Sequence, residues 1–197
     1  VFFDLWGNEK LWATIDRVNM NLPNQKGWDF GGFLHWDVEL DQLLATRNIQ
    51  GVLSLNDNDT GMGGLQIIPT LFKQLESWLE GQPKGRSRML EEKVDFEVIN
   101  VPSKAGDLVI WDTRMAHGTS FNRSTIPRFA QYLSMCPAEP EHAELLEIRL
   151  ASFANQTRPE KSGSKISRTA GFRKEFDFRS KAELTELGKR LLGAQPR

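Results

Sequence analysis

The chain has 197 residues and a mass of 22.4 kDa, with 39% apolar and 26% charged side chains, a composition that excludes disordered and collagen-like classes and leaves room for one domain with its own core. Twenty-five Lys and Arg against 26 Asp and Glu give a formal charge of −1, which removes the usual electrostatic ground for a nucleic-acid or anionic-membrane partner. No apolar run reaches a membrane span, no signal peptide opens the sequence at Val1, and the one cysteine, Cys136, cannot form an internal disulfide, so the expectation is a cytoplasmic protein with no membrane partner.

In chain order, residues 12–22, 31–40, 50–55, 64–68, 96–101, 107–113 and 128–135 read as strands. Each is short, apolar or β-branched, and bounded by Gly, Pro, Asn or Asp. Helical spacing of apolar residues marks 71–80, stopped by Gly81, and helices are also predicted over 139–152 and 182–192, the last stopped by Gly193. Residues 81–92 and 155–173 read as loops. Short strands separated by turn signals predict a mainly β protein, an antiparallel sandwich or barrel with a few flanking helices.

Three histidines are present, and two stand in contexts that packing does not explain. In His35-Trp36-Asp37, strand alternation puts the imidazole and the carboxylate on one face and Trp36 on the other. Alone, this pair is more readily an ordinary polar strand face. His117 follows the predicted strand 107–113, precedes Gly118, and completes a set of two His and one carboxylate. On one face of an octahedron such a set leaves three positions open, the arrangement of non-haem Fe(II) oxygenases, whereas a closed zinc site would want a fourth ligand. Beyond His117 a polar turn leads to Arg128, fixed after Pro127 at the start of the next strand. A guanidinium placed there, across a hairpin from His117, suits the distal carboxylate of a chelating keto acid such as 2-oxoglutarate, with a strand-edge salt bridge as the alternative. His142 lies in a helix-like segment and reads as a surface residue.

The stretches Gly32-Phe-Leu-His-Trp-Asp37, Gln50-Gly-Val-Leu-Ser-Leu-Asn-Asp57, Gly63-Gly-Leu-Gln-Ile-Ile-Pro69, Gly106-Asp-Leu-Val-Ile-Trp-Asp112 and His117 through Tyr132 together resemble the phytanoyl-CoA dioxygenase family of Fe(II)/2-oxoglutarate-dependent oxygenases. The resemblance implies a double-stranded β-helix, or jelly roll. It implies iron ligands His35, Asp37 and His117, and Arg128 on the distal carboxylate of 2-oxoglutarate. Thr119 is similar in position to a hydroxyl contact of the co-substrate, and Gln50 and Asn19 to co-substrate-facing polar residues. Fe(II), 2-oxoglutarate and O2 are the implied cofactors, with ascorbate as reductant, and a small organic molecule is the implied substrate. The implied reaction is hydroxylation of an unactivated C–H bond with release of succinate and CO2; the carboxylate at Asp37 argues against halogenation, which uses a small residue there.

Two features depart from the family. Its N-terminal helices and opening strands have no counterpart here, so the expectation is a jelly-roll core over 1–140 lacking that part, with a helical and loop extension over 141–197 packed on it. Pro69-Thr-Leu-Phe72 stands where many members have Pro-Gly-Ser-His. Among the aromatics, Trp36, Trp78 and Trp111 read as packing, and Trp28, in the turn before the metal strand, as a possible substrate contact. Arg17 and Arg114 read as salt-bridge partners, with an anionic substrate as the alternative. Two other readings stay open: a cupin-like protein using zinc or manganese without redox chemistry, and an inactive binding module.

Overall fold

A computed structural model describes residues 1–27, 32–90, 95–139, 142–155 and 182–195. Trp28, Gly31 and nearly all of the predicted loop 155–173 lie outside these residues. The elements in chain order are α1 (Phe2–Trp6), β1 (Leu11–Ala13), β2 (Val18–Asn21), β3 (Phe33–His35), β4 (Ile49–Ser54), β5 (Leu65–Ile67), α2 (Pro69–Lys73), α3 (Leu75–Glu80), β6 (Ile99–Asn100), β7 (Leu108–Asp112), β8 (His117–Thr119), β9 (Arg128–Tyr132), β10 (Met135–Pro137), α4 (Ala143–Asn155) and α5 (Glu186–Leu192). They fall into two compact units, Arg17–Ser134 and Val1–Asp16 with Met135–Arg197.

In the unit Arg17–Ser134, two four-stranded antiparallel sheets run in the orders β2-β9-β4-β7 and β3-β8-β5-β6. The chain changes sheet at every step from β2 to β9 except between β5 and β6, and that alternation winds eight strands into a jelly roll. The turn chemistry noted in the sequence supports this winding, since β2, β4, β5 and β6 end close to Pro23, Asn56-Asp57, Pro69 and Pro102, which cannot extend a ladder. The predicted strand 12–22 is two strands, β1 and β2, and 128–135 is likewise β9 and β10. The predicted helix 71–80 is broken at Gln74 (φ −115°, ψ 17°) into α2, with Pro69 in its first turn, and α3.

The apolar core of this unit gathers Trp36, Leu43, Ile68, Leu71, Leu75, Leu90 and Ala116, with Trp78 packed against Trp36 at 5.4 Å between ring centroids. Trp36, Leu43, Ile68 and Leu71 are fully buried, and each such side chain contributes about 1.5–3 kcal/mol of burial free energy. Trp36 is also satisfied as a polar residue: its Nε1 donates to Arg114 O at 2.9 Å and its backbone N–H to Arg88 O at 3.0 Å.

In the other unit, β1 pairs with β10 in antiparallel register. Arg149 of α4 is buried there. Its guanidinium donates to Leu191 O, Leu192 O and Ala13 O and lies 4.9 Å from the Trp12 ring. Its charge therefore serves carbonyls at the end of α5, where a cation is favoured by the helix dipole. Among the described residues no helix is long and apolar enough to cross a membrane.

Candidate metal centre

The site grows from the pairing of β3 with β8. His35 stands directly opposite His117 in register, so both imidazoles leave the same face of the sheet, and their ring centroids lie 4.7 Å apart. Close strand approach makes this possible. A Cβ at Gly118 would overlap the Phe33 carbonyl, so the residue after His117 must be glycine for β8 to lie against β3.

Asp37 reaches the same point by a route the sequence pattern does not show. The strand ends at His35, and Asp37 sits in a bend beyond it rather than within the predicted strand 31–40. Its direction is set by Trp36, whose burial in the core and two hydrogen bonds fix the backbone between the two ligand positions. Asp37 Oδ1 lies 3.2 Å from His35 Nε2 and Oδ2 lies 3.4 Å from His117 Nε2. The ligating atoms of His35, Asp37 and His117 all lie within 4.8 Å of one another, and no fourth His, Cys, Asp or Glu among the described residues joins them.

The protonation chemistry of the donor set fits a divalent cation. His117 Nδ1 is 2.8 Å from the Met115 carbonyl, which can only accept, so Nδ1 carries a proton and Nε2 is the nitrogen turned to the shared centre. Desolvation works against the Asp37 carboxylate, but the hydrogen bonds and charges of His117 and His35 outweigh it and hold Asp37 well below the usual carboxylate range. A cation that displaces the Nε2 protons shared with Asp37 would meet two imidazole nitrogens and an anionic oxygen, a donor set for a borderline metal such as Fe(II).

Arg128 opens β9 and is 4% exposed. Its Nη1 donates to Asn19 Oδ1 at 3.2 Å, its Nε has no partner, and no carboxylate among the described residues forms an ion pair with it. Burial without an anion pushes its pKa down. Among the described residues such a guanidinium lacks a counter-charge, which the carboxylate of a ligand would supply. Arg128 and His117 belong to different sheets, so they are not joined by the hairpin ladder expected from sequence.

Thr119 lies two residues after His117 on β8 and so shares its face. Asn19 is brought to Arg128. Gln50 is brought instead to Asp37, its Nε2 donating to Asp37 Oδ2. Trp111, expected as packing, stands opposite Gln50 in register, with its ring 5.2 Å from that of His117. It is therefore part of the wall of this site, and only the register of two strands distant in sequence could have placed it there. Arg114 is engaged by both oxygens of Asp112, at 2.9 and 2.7 Å, and Arg17 lies over Tyr132, so both have partners within the protein.

Comparison with known proteins supplies a family. Residues 49–130 match the family described as phytanoyl-CoA dioxygenase (PhyH). That stretch includes Gln50, His117, Thr119 and Arg128 and leaves His35 and Asp37 before it. The chain is similar to Ava biosynthesis cluster protein O of Aspergillus versicolor, 23% identical over 171 residues, covering 77% of this chain and 55% of the relative. It is also similar to the ectoine dioxygenase of Bordetella parapertussis, 27% identical over 147 residues, covering 64% of this chain and 47% of the relative. The chain thus spans about half the length of the curated relatives it matches. Among solved structures it resembles the epimerase SnoN in complex with Fe3+, alpha ketoglutarate and nogalamycin RO, with a TM-score of 0.48 and 16% identity over 65% of this chain and 50% of that one. The match over residues 49–130 thus makes that stretch similar to the phytanoyl-CoA dioxygenase (PhyH) family, and the relatives above include a dioxygenase.

Proposed function

We propose that this protein is an Fe(II)/2-oxoglutarate-dependent oxygenase that hydroxylates an unactivated C–H bond of a small organic substrate, with release of succinate and CO2. The observation that carries the reading is the pairing of two deficits among the described residues of one barrel: a three-ligand cluster with no fourth protein ligand, and a buried guanidinium with no carboxylate. A cupin-like zinc or manganese protein would need the first but not the second.

His35, Asp37 and His117 would hold the ferrous ion, and Arg128 the distal carboxylate of 2-oxoglutarate. The metal and keto acid, once bound, supply the activation of O2 through oxidative decarboxylation. The rest is the work of this chain's own residues. The Met115 carbonyl holds the proton of His117 on Nδ1 and keeps Nε2 available. Gln50 steadies the Asp37 carboxylate from the side through its amide nitrogen. Asn19 orients the Arg128 fork, and Thr119 adds a hydroxyl on the His117 face. Arg128 lies away from solvent, where two parallel charge-assisted bonds to a carboxylate are stronger than at the surface.

The experiment is succinate release by the purified chain with Fe(II), 2-oxoglutarate, O2 and ascorbate, followed by mass spectrometry of candidate substrates for the gain of one oxygen. Turnover that disappears in His35→Ala and needs far more 2-oxoglutarate in Arg128→Ala is the expected result. Binding of zinc or manganese with no succinate under any condition would replace this reading with a non-redox or inactive one.

A further inference from the structure

Two polar atoms on the wall of the site are left without partners. Gln50 Oε1 and Trp111 Nε1 are both shielded from solvent, and neither meets a hydrogen-bonding atom among the described residues. They belong together, because Gln50 and Trp111 are direct partners in the β4–β7 register and in-register residues leave the same face of an antiparallel pair. The contact of Gln50 with Asp37 and of Trp111 with His117 identifies that face as the one turned to the metal cluster.

The chemistry of the pair is fixed. Asp37, as a carboxylate, only accepts, so the amide nitrogen of Gln50 must point to it and the amide oxygen away. What remains is one acceptor and one donor on in-register residues of the same face. A carboxylate would satisfy only the indole N–H, and an ammonium only the amide oxygen. A hydroxyl satisfies both through one atom. The register also separates this pair from the co-substrate clamp. Continuing the β4–β9 ladder puts Gln50 level with Ser134, at the other end of β9 from Arg128. A dicarboxylate that runs from the metal cluster to Arg128 leads away from Trp111.

We propose that Gln50 Oε1 and Trp111 Nε1 form the recognition pair for a hydroxyl group of the organic substrate. The substrate class is then an alcohol or polyol, oxidised at a carbon near the hydroxyl so held, and Trp111 is a specificity-determining residue. This rests on the oxygenase reading for the identity of the second ligand as substrate.

The test uses the full chain loaded with Zn(II), which is redox-inert, with 15N-labelled tryptophan. The indole signal of Trp111 is identified by its loss in Trp111→Phe. Four probes of one shape are titrated: cyclohexanol, cyclohexanone (accepts only), cyclohexylammonium (donates only) and cyclohexanecarboxylate. Cyclohexanol should shift the Trp111 N–H saturably and bind about fivefold or more tightly than the other three, and Trp111→Phe should weaken it by about five- to tenfold. Equal or tighter binding of the ketone, amine or carboxylate overturns the proposal. So does the absence of a saturable shift, which would mean that only water fills the pair. If Trp111→Phe does not fold, the four arms on the wild-type chain still decide. Failure of the oxygenase reading would show separately, as a chain that neither binds 2-oxoglutarate nor releases succinate with iron while its preference for the alcohol persists.

Discussion

Replacing Arg128 by Met should make the ligand-free protein more stable and at the same time abolish its response to 2-oxoglutarate. Arg128 is 4% exposed and is held by one hydrogen bond, from Nη1 to Asn19 Oδ1. Without a ligand it is a buried charge with no counter-charge, and hydrophobic replacement of buried ionic groups is neutral or stabilising by about 1–4 kcal/mol. Losing the Asn19 bond takes back about 1 kcal/mol. The net gain is about 0–3 kcal/mol, or a rise of up to about 12 °C in Tm for a chain of this size. In the wild type, 2-oxoglutarate at a hundred times its Kd should add about 2.7 kcal/mol. Two charge-assisted hydrogen bonds at about 1.5–3 kcal/mol each disappear in Arg128→Met, so the Kd should rise by at least about a hundredfold and the stabilisation should vanish at that concentration. Calorimetry of the Zn(II)-loaded proteins with and without 2-oxoglutarate measures both effects. A variant with a lower Tm that still responds fully to 2-oxoglutarate would refute the reasoning and make Arg128 a structural residue.

The other predictions concern the metal cluster and its supports. His35→Ala, Asp37→Ala and His117→Ala should each weaken Mn(II) binding by more than about a hundredfold in titration calorimetry, with an unchanged far-ultraviolet circular dichroism spectrum. Trp36→Ala should cost about 3–5 kcal/mol in urea unfolding, because the side chain is fully buried, and should also weaken metal binding through the displacement of Asp37. Gly118→Ala should destabilise the β3–β8 pair, since the new methyl meets the Phe33 carbonyl rather than a movable side chain; loss of amide-exchange protection at β3 and β8 is the readout. For Asp112, desolvation raises the pKa but the hydrogen bonds from the Arg114 side chain and backbone lower it further, below the ordinary value of 3.8. A depressed folded-state pKa contributes stability that is present above the unfolded value and lost as pH falls through the folded one. Asp112→Asn should therefore flatten the fall of Tm below about pH 4 and lower Tm at neutral pH.

Much of the barrel is written locally. The strand 50–55 is nearly β4 and 107–113 contains β7, because both are short segments with an apolar centre (Val52-Leu53 and Leu108–Trp111) closed by turn residues. The strand β8 is not legible: His117-Gly-Thr119 is too short and polar to show a period, and it becomes a strand only because β3 and β5 flank it on both sides. The His35–Asp37 pairing is legible for a reason that is partly mistaken. Alternation gives the right face, but the strand ends at His35, and the burial of Trp36 aims the carboxylate. Trp111 shows the opposite case. Its alternation marks one side of β7, yet which side faces the metal cluster depends on its pairing with Gln50, a partner sixty residues away that no local pattern names. The break at Gln74 is likewise silent in the helical spacing of 71–80, which both halves satisfy.

The Arg149 guanidinium bears on how this protein can be cut. Because it grips the last carbonyls of α5 and the Ala13 carbonyl together, the head and tail of the sequence are tied at one buried knot. A fragment that stops before Glu186 would leave that cation with a single carbonyl and would loosen the strand that carries Trp12. The C-terminal helix is thus a fastener for the first sixteen residues, and a trimmed expression clone should keep both ends or neither.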